Sequence, residues 1–263
     1  MDDYIKINKT SWNSKVQTHV DSDFYDVKSF LEGKSSLTEI DLELLGTIEG
    51  KKILHLQCHF GMDTISLSRL GAYSTGIDFS EEAILKAKEL AIQTGSNSKF
   101  LVSDVYSLPE VLEEKYDMVY TSFGVVGWLP DLKKWAEVIH HFLKPGGELV
   151  FAEFHPVIWM FDDDFEEVKY SYFKEEPIVE ICEGTYANPD APIVNHTMTW
   201  NHAITEIVES LIGAGLEIIK FKEYNYSPYP CFRHIEEFEE GKWRIEKFGN
   251  KIPMVYALKA KKR

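Results

Sequence analysis

Residues Lys51–Gly61 read KKILHLQCHFG. Two lysines open the stretch, an apolar run follows, and a polar turn ends on Gly61. The next segment, Met62–Leu70, carries Ile65, Leu67 and Leu70 at helical spacing. A buried strand that turns sharply into a helix is the corner where open α/β domains cradle nucleotides, because the free N–H groups of the first helical turn face the ligand. Such corners are normally built from several glycines, and this one has only Gly61.

Working outward, short apolar runs alternate with helical patterns, the signature of a parallel sheet. Strands are expected at Ile53–Leu56, Ala72–Ile77, Lys99–Val102, Tyr116–Thr121 and Glu148–Phe154. Helices are expected up to Leu70, from the Ser80 N-cap to Gln93, and over Asp131–Phe142. Asp78 and Asp104 follow the second and third strands directly. Residues 1–50 read as a helical cap, with Trp12, Val16, Val20, Phe24, Val27 and Leu31 forming one amphipathic stripe. Residues 155–200 break the rhythm as an insertion, with strands expected at Tyr170–Phe173 and Ile178–Cys182. A helix at Ala203–Ala214, capped by Gly213 and Gly215, and strands at Leu216–Tyr224 and Ile252–Leu258 close the chain. Between them, 225–249 reads as a loop with a short helical piece, HIEEFEE. The division is 1–50 as cap and 51–263 as main domain, with 155–200 and 225–249 as insertions forming a substrate lid.

Composition narrows the function. The 263 residues are 44% hydrophobic and carry a net charge of −15. A large core is affordable, and so strong an acidic balance argues against nucleic acid as partner. The terminal Lys259–Arg263 reads as a solvated end. No apolar run is long enough for a bilayer, and the N-terminus has no apolar signal region, so a cytoplasmic protein without membrane association is expected. Cys58, Cys182 and Cys231 are far apart and imply no disulfide framework.

Five stretches in this order, ILHLQCHFG, GIDFS, SDVYSLP, YDMVYTSFG and FLKPGGELVF, resemble a class I S-adenosylmethionine-dependent methyltransferase. The resemblance covers about residues 50–154. A bacterial subset of unassigned substrate is similar through LHLQCHFG and GWLPDL. The resemblance implies an α/β, Rossmann-like, seven-stranded, mostly parallel sheet whose last strand is antiparallel, with helices on both faces. It implies an enzyme, S-adenosylmethionine as cofactor, and methyl transfer to a small-molecule acceptor. Carried onto this chain, the turn Gln57, Cys58, His59 and Gly61 would wrap the methionine part. Asp78, with Phe79 and Ser80 beside it, would hold the ribose hydroxyls, as a carboxylate accepts two hydrogen bonds from a vicinal diol. Asp104 and Val105 would meet the adenine. Thr121–Gly124, including Ser122 and Phe123, would lie under the methionyl amine and sulfonium. The chain departs from the family pattern at His55, where an acid is usual, and at Gln57 and His59, where glycine is usual.

Other residues have two readings each. Trp12, Tyr25 and Trp128 are core aromatics or walls of the site. Trp12 is assigned to the cofactor, since an aromatic face attracts a sulfonium, and Tyr25, Trp128 and Trp159 are assigned to the substrate as aromatic walls of its pocket. His155, directly after the fifth strand, is the candidate acid or base. Its alternative is a capping role before Pro156. His55, Cys58 and His59 have metal-ligand chemistry but no second cluster beside them, so no metal is expected. Cys58 as a nucleophile would need a positioned base, which adjacent His59 does not guarantee. FDDDFEE at 161–167 reads as a solvated loop. Two rivals stay open: a nicotinamide-dependent oxidoreductase on the same broad fold, and a non-catalytic S-adenosylmethionine-binding protein. A monomer or homodimer is expected.

Overall fold

The computed structural model describes residues 3–263; the first two residues of the expected cap lie outside the described residues. The chain opens with α1 (Asp3–Val20), α2 (Val27–Leu31) and α3 (Glu39–Leu45). Then come β1 (Lys52–Leu56), α4 (Met62–Arg69), β2 (Tyr73–Asp78), α5 (Glu81–Thr94), β3 (Lys99–Val102), α6 (Leu108–Val111), β4 (Tyr116–Ser122), α7 (Leu132–Phe142) and β5 (Leu143–Phe154). A hairpin, β6 (Ile178–Glu183) and β7 (Val194–Thr199), interrupts the alternation. It resumes with α8 (Ile204–Gly213) and β8 (Leu216–Tyr224), passes through a second hairpin, β9 (Ile235–Glu239) and β10 (Lys242–Ile245), and ends with β11 (Val255–Lys262).

The main sheet has seven strands in the order β3-β2-β1-β4-β5-β11-β8. β11 is antiparallel to both β5 and β8, and the β1–β5 pairings are parallel. Strand side chains alternate between faces, so each central strand feeds two cores. Leu54, Leu56, Val119, Leu149 and Phe151 join α7 and α8 through Trp135, Ile139, Phe142, Ile207 and Leu211. Ile53, Met118, Tyr120, Val150 and Ala152 join α3 through Ile40, Leu44 and Leu45. Burial on both faces explains why these strands read as near-continuous apolar runs. The strand C-termini of β1, β2 and β4 meet at one edge, where parallel α/β sheets put their ligands.

Several local expectations change. The apolar stripe over 12–31 is not one helix: α1 ends at Val20, and Asp26, with φ 43° and its carboxylate on the Ser29 N–H, starts α2 separately. α1 also buries a largely polar face, Asn8, Ser11, Lys15, Val16 and His19. Asn8 on that face is satisfied from the insertion: its Nδ2 donates to Met198 O at 2.7 Å and its Oδ1 accepts from Met198 N–H at 2.9 Å. Tyr170–Phe173 is not a strand, because Lys169 and Tyr170 N–H both turn back onto Met160 O. HIEEFEE is not helical. Gly241, at φ 70°, supplies a hairpin turn, and Glu236 pairs with Arg244 across the strands at 3.0 Å. KPGG lies inside an irregular start to β5. The terminal lysines extend β11 instead of hanging free, with Lys262 Nζ donating to His140 O and Leu143 O.

Candidate active site

A cavity of about 1520 Å³ opens over the strand ends. Its floor is the turn after β1. There Gln57 (φ 55°), His59 (φ 49°) and Gly61 (φ 80°) are all left-handed. These are the two positions where the glycines are missing, plus the one where glycine remains. Left-handed backbone costs a non-glycine residue about 1–2 kcal/mol, so the turn has to be held by its contacts. Cys58 N–H donates to Ile77 O at 2.8 Å, His59 N–H to Asp78 Oδ2 at 2.9 Å, and Gly61 N–H to Cys58 O at 2.9 Å.

Side chains complete the turn. Gln57 Nε2 donates to Val125 O at 3.0 Å, while its Oε1 is buried without a partner. His59 Nε2 lies 2.9 Å from His19 Nδ1, and burial holds both imidazoles neutral, His19 down at about 3. One proton therefore sits between them. His19 Nε2 and His59 Nδ1 are left as one donor and one acceptor without partners. Cys58 lines the floor, but its side chain belongs to the core with Phe60, Ile65 and Phe100, and burial pushes its thiol well up. His55 is fixed on Thr64 Oγ1 at 2.8 Å and driven down to about 3 by burial.

Asp78 ends β2 at the cavity wall. It accepts the His59 and Ser80 N–H groups, yet burial raises it to about 6. A carboxylate has about four acceptor positions, so these two bonds leave acceptor capacity for a ligand. Asp104 spends Oδ1 on the Tyr106 and Ser107 N–H groups. Phe79, Val105, Ser122 and Phe123 also line the cavity. Trp12 and Trp128 meet edge-to-face at 5.3 Å over it, with Trp12 against His59 at 5.1 Å. Tyr25 bonds Tyr186 hydroxyl to hydroxyl, and Trp159 sits at the rim, 41% exposed.

Two assigned residues lie elsewhere. Ser80 does not line the cavity: its Oγ caps α5 at Ala83 N–H and donates to Asn13 Oδ1. His155 does not line it either. Its Nε2 is 2.9 Å from Glu223 Oε1 and its Nδ1 accepts from Val157 N–H, so the ring is a tether between β8 and the turn after β5. Its capping alternative is the one observed, and the acid–base assignment is withdrawn.

Three residues escaped the sequence reading. Glu153, 2% exposed in β5, accepts N–H groups from Gly124, Val125, Val126 and Phe154 at 2.5–3.1 Å. It thereby moulds the loop after β4. Asp63, in the first turn of α4, accepts from Ser36 Oγ at 2.6 Å and Ser122 Oγ at 3.4 Å; burial, then the Asp41 charge, raises it to about 7. Lys15 is a buried cation on the cavity wall. An acid inside the apolar run LVFAEF was a visible signal for Glu153. Among the described residues no three His, Cys, Asp or Glu side chains converge to hold a metal ion.

The profile of a family described as "Methyltransferase domain" matches residues 53–147, which span β1 to the start of β5. Residues 53–147 are thus similar to a methyltransferase domain. A ubiquinone biosynthesis O-methyltransferase of Photorhabdus laumondii is 32% identical over 111 residues, 42% of this chain and 46% of that protein. An uncharacterized methyltransferase of Synechocystis is 31% identical over 131 residues, 49% of this chain and 59% of that protein. The chain thus spans about half the length of the relatives it matches. The structure of an S-adenosylmethionine-dependent methyltransferase from Mesorhizobium loti has TM-score 0.59 at 19% identity, covering 88% of this chain and all of that one. One from Clostridium acetobutylicum has TM-score 0.57 at 14% identity, covering 97% of this chain and 98% of that one. The likeness in fold therefore covers more of the chain than residues 53–147. No helix among the described residues is long and apolar enough to cross a membrane.

Proposed function

We propose that this chain transfers a methyl group from S-adenosylmethionine to a small molecule held in the cavity above the strand ends. The observation that carries the reading is the left-handed turn Gln57–Gly61 joined to Asp78 through the His59 N–H.

The donor set fits this cofactor. Gln57 Oε1 and His59 Nδ1 are buried polar atoms in want of partners, suited to the methionyl end. Asp78 keeps acceptor capacity for a vicinal diol, and Asp104 and Val105, which line the same cavity, would meet the adenine. The loop that Glu153 shapes, Phe123–Val126, would support the sulfonium side. Bound S-adenosylmethionine supplies a methyl group already activated by a positive sulfur. What the protein adds is position: the acceptor lone pair has to come within about 3–3.5 Å of the reacting carbon, in line and without water.

Residues 1–50 and the insertions 155–200 and 225–249 would wall the acceptor, with Tyr25, Trp128 and Trp159 among the contacts. The cavity is larger than the roughly 300–1,000 Å³ of a pocket for one small ligand, which leaves room for donor and acceptor together. Its aromatic walls suit a molecule with an apolar or aromatic face. A hydroxyl acceptor, as the O-methyltransferase relative's name implies for that protein, is compatible with them.

Calorimetry with S-adenosylhomocysteine tests the reading. Binding is expected, and Asp78→Ala should weaken it at least about tenfold, the loss of one charge-assisted hydrogen bond. No heat at millimolar ligand would sink the proposal. Binding without turnover across a broad acceptor panel would favour the non-catalytic alternative.

A further inference from the structure

We infer that Lys15 anchors a carboxylate bound in this cavity. Acids far outnumber cations in the lining, and three cations face it: Lys15, Lys34 and Arg233. Lys34 is paired with Asp26 at 3.4 Å, and Arg233 with Asp164 at 3.3 Å. Both are exposed at the rim. Lys15 is 7% exposed and has no acidic partner among the described residues.

Its surroundings hold the charge without satisfying it. The Nζ lies 5.2 Å from the Trp12 ring centre and 5.7 Å from that of Trp128. Indole faces attract a cation but take up little of its hydrogen-bonding capacity, and an ammonium carries three donors. Asn8 and His19, on the same face of α1, have found polar partners in Met198 and His59. Lys15 projects from that face toward the cavity instead. Burial lowers its proton affinity, which is the mark of an ammonium short of a counter-charge. A carboxylate entering the cavity beside Lys15 would restore it and accept the ammonium donors that the indoles leave unused.

A carboxylate has two sources here. One is the methionyl arm of the methyl donor, and this source rests on the methyl-transfer reading. The other is the acceptor itself.

Calorimetry with two nucleosides separates them: S-adenosylhomocysteine, and 5′-methylthioadenosine, which keeps the adenosine and thioether but lacks the amino-acid arm. If the donor supplies the carboxylate, Lys15→Met loses at least about tenfold of the preference for the first over the second. Its 5′-methylthioadenosine affinity stays near that of the wild type, and Lys15→Arg recovers part of the preference. If the acceptor supplies it, the nucleoside preference is unmoved. Benzoate then binds the S-adenosylhomocysteine complex of the wild type and binds the Lys15→Met complex at least about tenfold more weakly. Unchanged binding in both arms overturns the inference. Should neither nucleoside bind the wild type, the methyl-transfer reading fails, and benzoate titrated into the free protein still decides the role of Lys15. Lys15→Gln replaces the Met variant if thermal melting shows that the latter does not fold.

Discussion

Replacing Glu153 by Gln tests how the loop after β4 is held. Each carboxylate oxygen serves two donors: Oε1 accepts from Gly124 and Phe154 N–H, and Oε2 from Val125 and Val126 N–H. Gln keeps the shape but turns one of those oxygens into an amide that donates. Two backbone N–H groups then face a donor, whichever way the amide is placed. Hydrogen bonds to a charged group contribute about 1.5–3 kcal/mol each, so the gross loss is about 3–6 kcal/mol. Removing a buried charge returns part of that, because desolvating an ion costs several kcal/mol. Burial does raise the Glu153 carboxyl despite its four donors. A net destabilisation of about 2–4 kcal/mol is expected, read as a lower urea midpoint at unchanged slope. S-adenosylhomocysteine affinity should fall as well, since the same loop would support the sulfonium side. A stability change below about 0.5 kcal/mol, the range of an ordinary surface substitution, would refute the clamp. A large stability loss with undiminished affinity would keep the clamp and remove the loop from the cofactor site.

The turn and the buried acid give two more expectations. Gln57→Gly and His59→Gly each release left-handed strain of about 1–2 kcal/mol, which greater unfolded-chain freedom partly offsets. Near-neutral melting shifts with weakened S-adenosylhomocysteine binding would show that the side chains are ligand contacts, and undiminished affinity would show that only the backbone matters. Asp63, raised to about 7, binds a proton in the folded chain that the unfolded chain gives up near its ordinary value of 3.8. Its stabilising share is therefore complete below about pH 4 and lost as pH rises through about 7. Asp63→Asn should gain stability relative to wild type on going from about pH 5 to about pH 8, and a difference independent of pH would sink this assignment.

Much of the sheet was legible because parallel strands buried on both faces read as apolar runs, and their connecting helices carry clean stripes. The strands from Ile53 to Phe154 appear close to where the sequence puts them, and so do Asp78 and Asp104 at their tips. Legibility failed where long-range partners decide the structure. α1 buries Asn8, Lys15 and His19, which no helical stripe rule would bury, because the β6–β7 hairpin and His59 receive two of them from far along the chain. HIEEFEE has helix-forming acids, yet Gly241 and the lysine and arginine of β10 make it one side of a hairpin. His155 stands where a catalytic residue could stand, but Glu223 from a neighbouring strand claims its ring.

The turn after β1 shows what a glycine motif encodes. Three residues there are left-handed, but only Gly61 also has a steric need for glycine: a Cβ would come within 2.5 Å of Phe100 Cε1 and 2.9 Å of Ala87 Cβ. Gln57 and His59 have room for side chains that face the cavity, and they meet a conformational requirement, not a packing one. That requirement costs about 1–2 kcal/mol at each residue. Bonds from the turn to Ile77, Asp78 and Val125 are of the size to offset it, at about 0.5–1.5 kcal/mol for a neutral bond and more to a carboxylate. A sequence pattern of glycines is thus a proxy for backbone angles. Where other contacts impose those angles, the glycines can be exchanged for residues that add polar atoms to the site, and here two of those atoms, Gln57 Oε1 and His59 Nδ1, are still without partners.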